Sequence, residues 1–246
     1  MSLAVFIHPD IANARVGESI TLTGAEGRHA VTVKRVVVGE HVELTDGAGT
    51  VAEVAVTAVA GKDELNGDIV KHEHRPNPQP TVTVVQAIPK AAQADVAVDL
   101  ATQAGADGIV AWAADRCVAK WEGKKIPKAI KKWQEQATAA AKQSRRARIP
   151  QVRGPVTTAQ LADTLADVDL ALVLHEDATE PLKHLDFAGA ESVALIIGPE
   201  GGIGPDELEQ LTERGACPVK LGPQVLRTSS AAMVALSALG ALTPRW

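Results

Sequence analysis

The chain has 246 residues, 46 % of them hydrophobic and 22 % charged, which is enough to bury a core in one large domain or two small ones. Its two cysteines, Cys117 and Cys217, belong to no CxxC or Cys/His cluster, so we expect no metal site, no disulfide framework and a reduced, cytoplasmic protein. The formal net charge of −5 by itself argues against a nucleic-acid partner. A start without a basic region and the lack of any run of about 18 apolar residues argue against secretion and membrane insertion.

The first 73 residues are predicted to form a small β domain. Period-2 alternation rich in Val and Thr predicts strands at 19–23, 41–45 and 52–59. The turn residues 46–49, Asp-Gly-Ala-Gly, predict a hairpin between the last two strands. Residues 26–35 are the domain's one candidate helix, although their β-branched residues weaken that prediction.

Residues 74–80 contain three prolines and are predicted to form a stiff linker to a second domain at 81–246. In that domain the pattern alternates between strand and helix. Strands are predicted at 81–87, 108–112, 170–174, 193–197 and 218–221, and helices at 93–104, 127–146, 158–165, 205–214 and 229–242. Such alternation is typical of an α/β domain with a mainly parallel sheet.

Positive charge is concentrated between Arg116 and Arg153, where twelve Lys or Arg residues stand against two Glu. A patch of this density neutralises phosphates and attracts a polyanion. The alternative is an ordinary solvated helix face, because lysine-rich helices are common on protein surfaces. The density around Arg145, Arg146 and Arg148 favours the polyanion site.

Two apolar strands near the C-terminus each run into a loop rich in Gly and Pro, at 198–205 and at 222–223. Loops in this position hold a small ligand at the carboxyl ends of parallel strands. The first loop lacks the Lys-Ser/Thr of a P-loop and the dinucleotide-binding spacing. Its acidic residue, Glu200, suits a neutral or cationic ligand such as the sulfonium S-adenosylmethionine. The alternative interpretation is a pair of tight turns, with Thr228 or Ser229 serving only as the N-cap of the last helix.

The motif Ile-Ile-Gly-Pro-Glu-Gly-Gly-Ile at 196–203, followed by Leu-Gly-Pro-Gln-Val-Leu-Arg-Thr at 221–228, resembles the signature of the 16S ribosomal RNA uridine-N3 methyltransferase family of the SPOUT class. Other segments resemble that family in order: Lys90, 100–105, 115–116 and 141–146 with Pro150. The resemblance spans nearly the whole chain. It implies an N-terminal PUA-like β-barrel and a C-terminal α/β domain tied in a trefoil knot. It also implies a homodimer that uses S-adenosylmethionine to methylate N3 of a uridine (position 1498) in 16S rRNA of the 30S subunit.

The resemblance also assigns roles to residues. The cofactor would lie among three loops, formed by Leu174, His175, Glu176, Gly198, Pro199, Glu200, Gly201, Gly202, Ile203, Leu221, Gly222, Gln224, Val225 and Leu226. Arg227 would orient the target nucleotide or favour the uracil anion, and Glu200 is either a general base or a residue that orients backbone amides in its own loop. RNA would be held by Arg28, Arg116, Lys124, Lys128, Lys142, Arg145, Arg146 and Arg148.

The chain departs from the family pattern in two places. Where the family often has Glu-Thr after Leu-Arg-Thr, this chain has Ser229 and Ser230, and where the family often has Glu-Ala-Ala-Glu-Gln-Ser, it has Ala-Ala-Ala-Lys-Gln-Ser at 139–144. Those carboxylates are therefore dispensable here. Two alternatives remain open: a SPOUT enzyme that acts on tRNA or a ribose 2'-hydroxyl, and an RNA-binding or assembly protein without turnover.

Overall fold

The structure is a computed structural model that describes residues 3–246. Met1 and Ser2 lie outside the described residues. They belong to the predicted 1–73 domain and to the start of the chain that argued against secretion. The chain divides into two compact units. The first unit ends at Asn77 but also contains Ala141–Ile149, and the second consists of Pro78–Ala140 and Pro150–Trp246.

The first unit contains a five-stranded sheet in the order β1-β3-β4-β5-β2. Its strands are β1 (Ala4–Ile7), β2 (Ser19–Leu22), β3 (His41–Thr45), β4 (Thr50–Ala60) and β5 (Glu64–His74). β1 and β3 are parallel, and the other pairs are antiparallel. The predicted hairpin joins β3 to β4, with the Asp46 carboxylate accepting hydrogen bonds from Ala48 N and Thr50 N. Alternate side chains of β4 and β5 are buried in the unit's core.

The helix predicted at 26–35 is shorter and less regular than expected. Helix α1 (Gly24–Arg28) passes directly into a π-helical turn (His29–Val33), and the chain then reverses through Arg35 at φ 58°. The β-branched residues that weakened the prediction lie in the π-helical part, consistent with their poor fit to a regular α-helix. Gly27 is required here, because a Cβ at this position would lie 2.0 Å from the carbonyl oxygen of Asp63.

The second unit has the predicted parallel sheet, with six strands in the order β11-β9-β10-β6-β7-β8. The strands are β6 (Thr81–Ala87), β7 (Gly108–Trp112), β8 (Gln151–Val156), β9 (Leu170–Leu174), β10 (Ser192–Ile197) and β11 (Cys217–Val219). The helices are α2 (Ala91–Gln103), α3 (Lys125–Gln143), α4 (Thr158–Thr164), α5 (Pro205–Glu213) and α6 (Thr228–Leu242). The α/β class is confirmed.

The core of the second unit is centred on β10, which is buried from Val193 to Ile197. A central parallel strand covered on both faces needs such a continuous apolar run. Trp133 on α3 and Trp112 at the end of β7 are also fully buried. Across residues 3–246, the helices are all too short or too polar to span a membrane.

Candidate active site

Three loops meet at one edge of the parallel sheet in the second unit. They follow β11, β9 and β10, which are neighbours in the sheet, so the carboxyl ends of the three strands lie side by side. Together with Lys90, Gln93, Arg116 and Ala231, they line a cavity of about 720 Å³. A cavity of this size is typical of small-molecule sites, and its place beyond the strand ends is where open α/β sheets bind ligands.

The cavity contains every residue that the sequence predicted for cofactor binding, together with Glu200 and Arg227. The lining segments are 174–177, 197–203, 220–222 and 224–228. Sequence reasoning placed Arg116 only in the RNA patch and missed seven other lining residues: Lys90, Gln93, Asp177, Ile197, Lys220, Thr228 and Ala231. The resemblance had marked Lys90 and Arg116 as family-like positions, and this was the signal available for them.

The loop after β10 depends on its glycines for close packing. A Cβ on Gly198 would lie 2.7 Å from Cγ1 of Ile203, and a Cβ on Gly201 would lie 3.2 Å from Cβ of Arg116. Gly202 adopts φ +72°, a conformation that other residues rarely adopt. Its amide donates to the carbonyl of Pro199 at 2.9 Å, which closes the turn. These glycines therefore let the loop close tightly and pack against Ile203 and Arg116.

Glu200 bridges this loop to the segment that follows β6. Its Oε1 accepts a hydrogen bond from the backbone amide of Lys90 at 3.0 Å. The amide that Glu200 holds therefore belongs to a different loop, and not to its own loop as the predicted orienting role had it. This contact brings Lys90 to the wall of the cavity.

The start of α6 is fixed by two side-chain hydroxyl groups that form hydrogen bonds with residues outside the helix. Thr228 Oγ1 donates to the carbonyl of Gly198 at 2.6 Å and accepts from Nε2 of the buried Gln86 at 3.0 Å. Ser229 Oγ donates to Oε1 of Gln93 at 2.7 Å. Neither residue is the N-cap that the alternative interpretation required: Arg227 holds that position, without a side-chain cap. The hydroxyls instead join α6 to β6, to α2 and to the loop after β10, next to Arg227 at the cavity.

A family model of the RNA methyltransferase domain matches residues 75–240, and a model of the RNA methyltransferase PUA domain matches residues 22–70. The protein named ribosomal RNA small subunit methyltransferase E in Mycobacterium tuberculosis is 47 % identical over 234 residues, covering 94 % of this chain and 89 % of that protein. The chain belongs to this methyltransferase family. The family member from Bacillus subtilis is 28 % identical over 229 residues, covering 90 % of this chain and 89 % of its own. A methyltransferase from Legionella pneumophila, solved with bound SAM, is 28 % identical with a TM-score of 0.86 over 98 % of each chain.

In this family member, the residues predicted to bind RNA are divided between the two units. Arg28, Lys142, Arg145, Arg146 and Arg148 belong to the first unit, and Arg116, Lys124 and Lys128 belong to the second. Arg28, Arg116, Lys124, Lys128 and Arg145 are exposed, and Lys142, Arg146 and Arg148 are half-buried. Arg116, although exposed, donates to the carbonyl of Gly201. Arg148 donates to the ring of His74 and to the carbonyl of Arg75.

Lys142 is paired inside the first unit. Its ammonium lies 2.6 and 2.7 Å from the two carboxylate oxygens of Glu26 and 5.8 Å from the ring centre of Phe6, and its side chain is 13 % exposed. It also donates to Nδ1 of His29 at 3.3 Å. Burial, and then the charge of Lys142, lower the pKa of His29 below its ordinary value. Lys142 is therefore poorly placed to neutralise a phosphate.

A metal site would need several clustered ligands. Over residues 3–246, no group of three or more His, Cys, Asp or Glu residues is arranged to hold a metal ion.

Proposed function

We propose that this protein transfers the methyl group of S-adenosylmethionine to N3 of a uridine in the 16S rRNA of the small ribosomal subunit. The observation that carries this proposal is the cavity where three strand-end loops place Glu200 and Arg227 together, in a chain of the methyltransferase E family. The uridine and its N3 atom come from the family resemblance of the motifs at 196–203 and 221–228.

The residues present fit S-adenosylmethionine. Gly198 and Gly201 let the loop after β10 pack closely on Ile203 and Arg116. The cavity lining carries the carboxylates of Glu176, Asp177 and Glu200, which can face a sulfonium cation, together with four cations that can face RNA. Backbone groups of 174–176, 198–203 and 221–226 would hold the adenine and amino-acid ends. The Legionella relative was solved with this cofactor bound. When bound, the cofactor supplies an activated methyl group.

Arg227 is the residue proposed to assist the chemistry. The N3 proton of uracil must leave as the methyl group arrives, so negative charge develops on the base. A guanidinium beside that charge lowers the barrier. Glu200 is held by the amide of Lys90, which supports its orienting role over that of a general base.

We further propose that the first unit is a PUA-like barrel that grips RNA, which is supported by the PUA-domain match at 22–70 and by the exposed cation Arg28. The exposed Lys124 and Lys128 in the second unit would add phosphate contacts. By resemblance, the second unit would carry the trefoil knot, and the enzyme would act as a cytoplasmic homodimer.

The test is transfer of labelled methyl from S-adenosylmethionine to small subunits purified from cells that lack this protein, with mass spectrometry of the nucleosides. We expect 3-methyluridine in the 16S rRNA. Label at another atom, or in tRNA alone, would move the protein to another SPOUT activity. RNA binding without label would leave a binding or assembly role.

A further inference from the structure

Glu207 stands out among the buried residues of the second unit. It is 1 % exposed, and every other acidic or basic residue within 3–246 is more exposed as a whole residue. A carboxylate removed from water is costly unless hydrogen bonds replace its hydration. The hydrogen bonds that compensate for the burial of Glu207 therefore indicate its role.

Three hydrogen bonds converge on this carboxylate from different parts of the chain. Oε1 accepts from the amide of Asp115 at 3.0 Å and from Thr158 Oγ1 at 2.7 Å, and Oε2 accepts from the amide of Gly204 at 3.3 Å. The Thr158 hydroxyl in turn accepts from Nε1 of the buried Trp112 at 3.1 Å, so its own hydrogen is directed to Glu207. All three partners donate, so the site requires a group that only accepts.

Helix capping accounts for only part of this arrangement. Glu207 is the third residue of α5, and its bond to Gly204, the N-cap residue, is the usual reach of that position back to the cap. Capping occupies Oε2 alone. The Oε1 bonds go to the loop after β7 and to the start of α4, neither of which belongs to α5.

Glu207 thus joins the loop after β7 to the glycine loop after β10 (198–204), and these two loops form one wall of the cavity. Arg116 follows Asp115 directly, and its Nη1 donates to the carbonyl of Gly201 at 3.1 Å. Gly201 packs so closely on Arg116 that a Cβ would lie 3.2 Å from the arginine Cβ. Gly204 ends the same glycine loop. Both Arg116 and Gly201 line the cavity.

We propose that Glu207 is a positioning residue that holds Arg116 against the glycine loop, and so preforms the wall shared by the cofactor and the target RNA strand. This inference rests on the proposed function. Arg116 is then a fixed cation of the active-site cavity that meets the charge of the bound RNA, rather than one member of a diffuse basic surface. Glu207 itself touches neither ligand and acts through Asp115, Arg116 and Gly204.

The first test needs no catalysis. In the ligand-free protein, amide hydrogen exchange at Asp115 and Gly204 would be compared among wild type, E207Q, T158V and T158S. Glutamine keeps one accepting oxygen but turns a donor towards one partner, so we expect exchange at one or both amides to accelerate roughly tenfold or more in E207Q. T158V should accelerate exchange of the Asp115 amide, and T158S should restore the wild-type exchange rate. Unchanged exchange in E207Q would overturn the proposal.

The second test separates positioning from general destabilisation. V152A removes buried methyl groups from β8, outside the segments that line the cavity, and serves as the stability control. We expect E207Q to lower kcat/KM for methyl transfer to small subunits roughly tenfold or more at a temperature where V152A remains near wild type. We also expect weaker S-adenosylmethionine binding by calorimetry. Equal losses in E207Q and V152A would reduce Glu207 to a structural role. If wild-type protein methylated no subunits, the proposed function would fail, while amide exchange and cofactor affinity would still decide the role of Glu207.

Discussion

Arg227 is the residue on which the proposed chemistry depends most. It lines the cavity, and its carbonyl accepts the amides of Ser230 and Ala231, so its backbone is fixed at the start of α6. We expect Arg227→Ala to lower kcat by about 10²–10³, the usual cost of losing one donor to developing charge, with S-adenosylmethionine affinity nearly unchanged. Single-turnover methyl transfer and calorimetry would measure the two effects. Arg227→Lys is the matched control, because it keeps the positive charge but loses the planar guanidinium and its paired N–H donors. A wild-type rate in Arg227→Ala would remove Arg227 from the catalytic role.

His29 should make the first unit sensitive to acid. Its Nδ1 accepts from Lys142, so a protonated ring would face an ammonium. Burial lowers the pKa of His29 from 6.5, with Lys142 and Lys34 adding to the shift and Glu26 opposing it. The unfolded state therefore binds a proton at higher pH than the folded state, and the free energy of unfolding should fall as the pH drops below 6.5. Urea unfolding of wild type and His29→Gln across this range would test it, and the variant should show a shallower decline. Identical slopes would contradict the prediction.

The site residues that the sequence revealed are those in contiguous motifs. The loops at 198–203 and 221–226 could be found because each follows an apolar strand and carries a recognisable string of residues. Gln93 could not be assigned, because only the fold brings it to the cavity, whereas Lys220 directly precedes the second loop and fell just outside its predicted bounds. Glu207 gave no signal at all: in the sequence it is an ordinary acidic residue in the first turn of a helix.

Among the elements, the buried strands were the most predictable. β7 and β9 have the predicted bounds, and β10 begins one residue earlier, because long β-branched and apolar runs favour central parallel strands. β8 was missed because Gly154 and Pro155 interrupt it. It lies at the edge of the sheet, where proline is tolerated. Sequence periodicity alone could not distinguish such an edge strand from a loop.

The C-terminal segment should contribute strongly to the stability of the second unit. Arg245 forms an ion pair with Asp107 at 2.9 Å, with the two side chains 4 % and 9 % exposed, and it also donates to the carbonyls of Gly105 and Pro80. Removing one partner of a buried pair leaves a charge without compensation. We expect Arg245→Ala to lower the free energy of unfolding by about 3–5 kcal/mol, measured by denaturant titration.

An exposed ion pair provides the control for this measurement. Lys131 and Glu135 are 3.8 Å apart on the surface of α3, where solvent screens their attraction. Lys131→Ala should leave the unfolding midpoint close to that of wild type. Equal losses of unfolding free energy in the two variants would show that the buried contacts of Arg245 stabilise the unit no more than an exposed ion pair does.

At the scale of the whole molecule, the main feature is the segregation of charge. The region from Arg116 to Arg153 is strongly basic in a chain whose net charge is −5. If it holds RNA phosphates, affinity for small-subunit RNA should fall steeply between about 50 and 200 mM salt, as counterion release requires. Binding titrations over that range would give the slope, and Lys124→Glu with Lys128→Glu should reduce it. An RNA affinity that does not change with salt would support the alternative that this region is an ordinary solvated helix face.

The division of the chain has a consequence for its synthesis. The first unit includes Ala141–Ile149, with the lysine that pairs with Glu26, and no sequence pattern predicted that this segment returns to it. A growing chain that has just passed the proline-rich segment therefore lacks part of its N-terminal unit. That unit can be completed only after the ribosome has translated more than a third of the second one, so the usual order in which the N-terminal domain finishes first does not hold here.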